Sequence, residues 1–285
     1  MPWLLLTLLV AQAPALDLKS RIESLVAQSG AEVAVAVVSA NPRDELFLDG
    51  DKTFHAASTM KVPVMIELFR QAHEGKLKLD DELPVKNEFH SIVDGSVYQM
   101  DVGDDSDAEV YKQAGKTMTL RALCEAMITV SSNFAANLLI ERVGARNVQA
   151  TVDRLGGAGV VVLRGVEDQK AFDKGLNNVT TARGLAALLW KISKGDAVSP
   201  KADREMIEIL KRQKFNDAIP AGVPPGTAVA HKTGSITRIH HDAGIVFARQ
   251  PYVLVVLTRG IQDQKVSAPL IAAISREVWN AQARN

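Results

Sequence analysis

The stretch FHAASTMKVPVMIELFRQA, residues 54–72, places a serine and a lysine three positions apart at the head of a long apolar-periodic run. Residues three apart on a helix share a face, so a helix starting at about Ser58 holds the Lys61 ammonium beside the Ser58 hydroxyl. Pro63 supports that start: proline is tolerated in a first turn, whose N–H groups have no intrahelical partner, and breaks a helix begun much earlier. A serine at the positive end of a helix and beside an amine can be activated as a nucleophile, with nearby backbone N–H groups to stabilise an oxyanion. The same positive end would press the lysine towards its neutral form. A serine N-cap followed by a chance lysine is the plain alternative.

On the N-terminal side, DLKSRIESLVAQSG reads as a helix with Leu18, Ile22 and Leu25 on one face and Gly30 as its stop. Strand candidates EVAVAVVS and ELFLDG flank the turn signal Asn41-Pro42-Arg43-Asp44. At the far end, TAVAHKTGS, AGIVFARQ and YVLVVLTRG read as three more strands, closed by the helix VSAPLIAAISREVWNAQA. Between them the chain is mostly helices joined by loops. This order predicts an α/β (α+β) fold: a mostly antiparallel five-stranded sheet built from both chain ends, flanked by helices, with an inserted all-helical lobe. On this reading the sheet lobe comprises 16–57 and 213–285 and the helical lobe 58–212, with a cleft between them. The segment from Glu88 to Lys116 carries Asp101, Asp104, Asp105, Asp107 and Glu109 and reads as a solvated loop, since a calcium site needs a tighter alternation of ligands.

Among the 285 residues, 33 basic side chains balance 33 acidic ones, so no global field favours a nucleic acid or an anionic membrane, and a small-molecule partner is expected. The first fifteen residues, MPWLLLTLLVAQAPA, have the length and small-residue exit of a signal peptide. Export to the periplasm or medium is expected, with a mature start near Leu16 and no stable membrane insertion once the segment is removed. The lone Cys124 lies in the helical pattern LRALCEAMI and reads as a buried, inert thiol. His240, His241 and Asp242 fall between two strand patterns without the fuller ligand set zinc requires, so neither a metal nor another cofactor is expected. Trp190 and Trp279 sit at helical spacings and read as core.

Two further polar clusters punctuate the chain. In TVSSNFAANLL, residues 129–139, Ser131 and Asn133 end one helical pattern and begin another. They offer a hydroxyl for proton transfer and an amide for a substrate carbonyl or N–H, or else a simple N-cap. In HKTGS, residues 231–235, Gly234 permits close approach to the backbone, Lys232 supplies positive charge, and Thr233 and Ser235 supply hydroxyls suited to a carboxylate; a strand with a polar edge is the bland reading.

Ser-x-x-Lys, then Ser-x-Asn, then Lys-Thr-Gly, in this order, resembles the class A β-lactamase and penicillin-binding serine hydrolase superfamily. The resemblance implies Ser58 as acylated nucleophile, Lys61 as its base or proton relay, and Ser131 as shuttle to the leaving nitrogen. Asn133 would bind the substrate's side-chain amide, and Lys232, Thr233, Gly234 and Ser235 would line its carboxylate. The backbone N–H of Ser58 and one from the Lys-Thr-Gly strand would form the oxyanion hole. Ser132 stands where the family usually has Asp. For the glutamate that activates the deacylating water, the resemblance points to Glu167, 36 positions after Ser131, with Asp168 as rival. The local pattern departs from the family: Leu176-Asn177 comes nine residues after Glu167, and no acid is evident to pair with Arg164 unless Asp173 serves. The implied function is a monomeric serine β-lactamase acting through an acyl-enzyme on Ser58. A D-alanyl carboxypeptidase or esterase with slow deacylation, and a non-catalytic cell-wall-binding protein on the same fold, are its rivals.

Overall fold

The computed structural model describes residues 17–282; the N-terminal run read as an export signal lies outside the described residues. Asp17 caps helix α1 (Leu18–Ser29) by accepting from the Ser20 N–H at 2.8 Å, and Gly30 ends it at a left-handed φ of 64°. Strands β1 (Glu32–Ser39), β2 (Leu46–Leu48) and β3 (Phe54–His55) follow. A 3₁₀ turn over Ala57–Met60 then runs into α2 (Lys61–His73). Short strands β4 (Glu82–Pro84), β5 (Phe89–His90), β6 (Val97–Tyr98) and β7 (Thr117–Thr119) precede α3 (Leu120–Thr129). The helical part continues with α4 (Asn133–Val143), α5 (Ala145–Arg154), α6 (Gln169–Asp173), strand β8 (Val179–Thr180), α7 (Ala182–Lys194) and α8 (Pro200–Leu210). The chain returns through β9 (Val229–Ile236), β10 (Ile239–Val246) and β11 (Tyr252–Arg259) to α9 (Gln264–Gln282).

The five-stranded sheet has the order β2-β1-β11-β10-β9, every neighbouring pair antiparallel, so strands from both ends of the chain do meet in one sheet. Alternation sorts its side chains. Val33, Val35 and Val37 with Leu254 and Val256 pack with Ile22 of α1 and Ile271 and Ile274 of α9. Ala34 and Ala36 with Val253, Val255 and Leu257 join the larger core shared with the helices. Both faces are therefore covered, which is why β1 and β11 read as nearly unbroken apolar runs. Cys124 is fully buried, and burial pushes its thiol up to about 12, as an inert cysteine requires. Trp190 and Trp279 pack at the edges of the two cores.

Two expectations need correction. His240, His241 and Asp242 lie within β10, not between strands. A buried strand tolerates them because their polar atoms are satisfied. His240 Nδ1 is 2.9 Å from Ser267 Oγ; His241 accepts from the Thr258 N–H and donates to the His55 carbonyl; Asp242 accepts from the Ile219 N–H and faces His231. The segment 88–116 is also more than a solvated loop. Phe89, Ser91, Met100, Asp107 and Val110 are buried, and β5 pairs with β6 in a hairpin whose Phe89 packs on Tyr98 and edge-on against Phe134 of α4. Its acidic residues dominate the composition, but apolar ones spaced among them reach the helical core.

Candidate active site

The 3₁₀ turn that carries Ser58 is entered through Ala57 at φ 45°, a left-handed conformation unusual for a residue with a side chain. Thr59 anchors it, donating to the Ala56 carbonyl through both its N–H (3.1 Å) and its hydroxyl (2.6 Å). Ser58 is not a helix cap: α2 starts at Lys61, after Met60, with no side-chain cap bond. Its Oγ instead lies 3.1 Å from Lys61 Nζ. Pro63 is in the first turn, as expected.

Lys61 is 0% exposed, and its Nζ is 2.6 Å from the Ser131 carbonyl oxygen, 2.7 Å from Asn133 Oδ1 and 3.3 Å from Ser131 Oγ. Burial lowers its pKa to about 7, against the opposing fields of Asp105 and Glu167. Desolvation, more than the helix end, favours the neutral, proton-accepting form of this amine. A neutral amine has two N–H groups, and the Ser131 carbonyl and Asn133 Oδ1 occupy them. Its lone pair is left for the Ser58 hydroxyl.

Ser131 sits at φ 62° in the break between α3 and α4. The N-cap of α4 is its neighbour Ser132, whose Oγ accepts from the Ala135 N–H, so Ser131 and Asn133 are left to face the cleft. Ser131 Oγ accepts from Lys232 Nζ at 2.9 Å and so links the two lysines. One further residue escaped sequence reasoning. Asp105 reaches over the same helix end and accepts from the N–H groups of Asn133 (2.9 Å) and Phe134 (2.9 Å). A carboxylate at a helix N-terminus answers both the unpaired amides and the dipole. The acidic run was the available signal, but only the fold singles out one member of it.

Lys232 is also 0% exposed, held by Ser131 Oγ and the Thr233 carbonyl, and burial together with Lys61 pushes its pKa well below the usual lysine range. Thr233 is buried and Ser235 exposed. Gly234 is needed for a protein contact more than for a ligand: a Cβ there would lie 3.1 Å from Ser58 N and 3.0 Å from Thr59 N. The edge strand thus runs against the backbone N–H of Ser58.

Glu167 faces the cleft at φ 61°, and Asn133 Nδ2 donates to its Oε1 at 3.2 Å. Protein packed on its inner side, with Asp104 and Asp105, raises its pKa, while Lys61 and Arg164 oppose the rise. A non-glycine residue in this backbone region costs about 1–3 kcal/mol and persists only where its surroundings hold it. Asn137, one turn after Asn133, does so from below: its Oδ1 accepts from the Val166 N–H at 2.6 Å and its Nδ2 donates to the Val166 carbonyl at 3.0 Å. Asp168 is spoken for. Its two oxygens accept from the N–H groups of Ala171, which caps α6, and Ile92. Among the described residues Arg164 pairs with no acid; it donates to the carbonyls of Leu176 and Gly165 and to Asn177 Oδ1, while Asn178 ties both ends of the loop. Asp173 accepts from Gln169 instead. Amides replace the ion pair that the sequence lacked.

Two cavities flank Ser58. One, ≈350 Å³, is lined by Asn133, Glu167, Phe172 and Ser235; the other, ≈290 Å³, by Ser131, Thr233, Ser235, Asp217 and His240. All nine residues singled out in the sequence therefore come together at or beside one cleft between sheet edge and helices. The geometry can move a proton from Ser58 to a neutral amine, pass one through Ser131, and present a carboxylate to water on the Glu167 side. Among the described residues no three His, Cys, Asp or Glu side chains cluster as a metal site would require.

A family model described as "Beta-lactamase enzyme family" matches residues 17–282. A Citrobacter koseri protein named "Beta-lactamase" is 26% identical across 92% of this chain and 87% of its own length. Of solved structures, one titled "Structure of PBP-A" superposes with a TM-score of 0.82 at 26% identity, covering 96% of this chain and 98% of that one. A second, an ancestral (GNCA) class A β-lactamase, gives 0.81 at 26% identity over 93% of this chain and 100% of its own.

Asp105→Asn is expected to cost about 1 kcal/mol through the weakened cap, read by thermal denaturation. Because the Asp105 charge raises the Lys61 pKa, its removal should also move the pH midpoint of Ser58 reactivity towards an acylating probe downward; an upward shift would contradict this electrostatic account. Gly234→Ala should lower stability by about 1–3 kcal/mol, since backbone atoms, not a flexible side chain, meet the added methyl, and should reduce Ser58 acylation in parallel.

Proposed function

This chain belongs to the β-lactamase enzyme family, and we propose on that footing that it is a serine β-lactamase, opening the lactam amide on Ser58 and hydrolysing the resulting ester. The observation that carries this reading is the buried, neutral-leaning Lys61, whose two N–H groups are engaged and whose lone pair is left for the Ser58 hydroxyl. Lys61 takes the Ser58 proton as Oγ attacks the lactam carbonyl. The N–H of Ser58 and one from the β9 edge receive the oxyanion. Ser131, between Lys61 and Lys232, delivers a proton to the departing lactam nitrogen, and the C–N bond breaks. Asn133 holds the acyl side-chain amide, while Lys232, Thr233 and Ser235 line the carboxylate end. Glu167 then takes a proton from water; the water oxygen attacks the ester, and Ser58 Oγ leaves with a proton returned to it.

Support for the rival peptidase or esterase with slow deacylation comes from Asn177, whose Oδ1 is taken by Arg164, and from the likeness to the structure titled PBP-A. A non-catalytic binding role would not require the Ser58–Lys61 contact. The N-terminal apolar run supports export, and the cavity beside Ser58 supports a division into a sheet lobe (16–57 and 213–285) and a helical lobe (58–212) with the substrate held between them.

With a chromogenic cephalosporin, sustained turnover is expected, and a single burst leaving a stable adduct in the intact mass would favour the rival. Glu167→Gln should keep acylation and slow deacylation by about 10²–10⁴-fold, trapping the adduct. The pH dependence follows from two groups that must lose a proton to act. Acylation should rise as pH passes about 7, where Lys61 becomes neutral. Deacylation should fall off on the acid side sooner than for an ordinary carboxylate, since the Glu167 pKa is raised. Stopped-flow rates of the two steps across pH check both limbs.

A further inference from the structure

The β5–β6 hairpin touches the Glu167 loop at three separate points, none of which involves Ser58 or either buried lysine. Tyr98 Oη donates to the Val166 carbonyl at 3.1 Å. The Ile92 N–H donates to Asp168 Oδ2 at 2.9 Å. Lys170 Nζ donates to Asp94 Oδ2 at 2.7 Å and Ser96 Oγ at 2.8 Å. Val166 and Asp168 are the two chain neighbours of Glu167, so the first bond fixes the backbone before its left-handed turn and the second holds the side chain of the residue after it. The hairpin has its own foundation. Phe89 packs on Phe134, next to Asn133, and the Asn87 carboxamide closes its base by pairing with the N–H and carbonyl of Met100, both at 2.8 Å.

We propose that this hairpin is a strut that sets the Glu167 carboxylate against the cleft, with Asp168 and Tyr98 as its positioning residues and deacylation as the step they serve. The inference rests on Glu167 acting as the base for the deacylating water. Ser58, Lys61, Ser131 and Lys232 make none of these contacts, so acylation does not depend on the strut. Asp168 matters most, since it is buried and joins the Ile92 N–H to the cap of α6. Lys170 contributes least, its contacts being exposed to solvent.

The test is single-turnover kinetics on Asp168→Ala, Asp168→Asn and Tyr98→Phe in the full chain, with acylation followed by the burst of a chromogenic cephalosporin and deacylation by loss of the adduct mass. Asp168→Ala should lengthen adduct lifetime at least tenfold, Tyr98→Phe a few-fold, and Asp168→Asn by an intermediate amount, because its amide oxygen can still accept one of the two N–H bonds. Acylation should stay within about twofold of the parent, and the pH midpoint of deacylation should move as Glu167 shifts against Asp104 and Lys61. A stoichiometric burst reports a folded site in the same sample, and if Asp168→Ala does not fold, the other two variants decide. Unchanged lifetimes, or acylation and deacylation falling together, would overturn the strut. Glu167→Gln run in parallel separates the two readings: if it fails to trap the adduct, the role of Glu167 is wrong; if it traps while the hairpin variants release normally, only the strut is.

Discussion

The constraint on which the site depends is the complete burial of the Lys61 amine. Water is not available to it, so its N–H groups must find protein acceptors, and the two they find come from one short stretch, the Ser131 carbonyl and Asn133 Oδ1. The break between α3 and α4 is thereby fixed against the head of α2. Burial also discourages the ammonium form, and Lys61 in turn discourages that of Lys232, equally buried and sharing Ser131 Oγ from the neighbouring strand. Two desolvated amines on one hydroxyl cannot both remain cations at modest cost. The structural requirement to satisfy a buried lysine and the chemical requirement for a base beside Ser58 thus have one solution.

Strained backbone marks the same places. Ala57, Ser131 and Glu167 are three of the five described non-glycine residues at positive φ, and each lies at or beside a group assigned a chemical role. Such conformations hold only where neighbours over-determine them. Thr59 clamps the first through the Ala56 carbonyl, the Ser132 and Asp105 caps hold the stretch after the second, and Asn137 fixes the residue before the third.

What the sequence made legible follows from what is local. β1, β11, α1 and α9 announce themselves by periodicity and stop signals, and Ser58, Lys61, Ser131 and Lys232 by spacing and order. Less legible were features decided by contacts between distant segments. His240 and Asp242 hid the start of β10 because their partners, Ser267 and Ile219, lie in other elements. Asp105 could not be told from Asp101 or Asp104 by composition, because only the fold brings it to the Asn133 and Phe134 amides. Likewise Asp168 competed with Glu167 on paper until its oxygens were seen to be occupied by Ala171 and Ile92. The sequence shows no clear acid for Arg164 beyond Asp173, and nothing in the spacing indicates that the Leu176 carbonyl and the Asn177 amide receive its guanidinium while Asn178 holds its backbone.

On the roles proposed for these residues, the two half-reactions rest on different parts of the molecule. Acylation uses groups set by the buried core and the sheet edge: α2, the head of α4, and β9 pressed so close to the nucleophile that Gly234 has no room for a methyl. Their geometry shifts only if the packing of both lobes shifts. Glu167 stands instead on a loop without the ion pair expected of it, held by carboxamides, a capping carboxylate and a surface hairpin. Each of those bonds contributes on the order of 1 kcal/mol, and each is a polar contact rather than apolar packing. Sequence change in the hairpin or the loop can therefore retune release of the acyl group while the chemistry that forms it stays fixed. If Glu167 has the role proposed, the distance between an enzyme that turns over and one that is merely acylated is set by the polar contacts around its loop, not by Ser58.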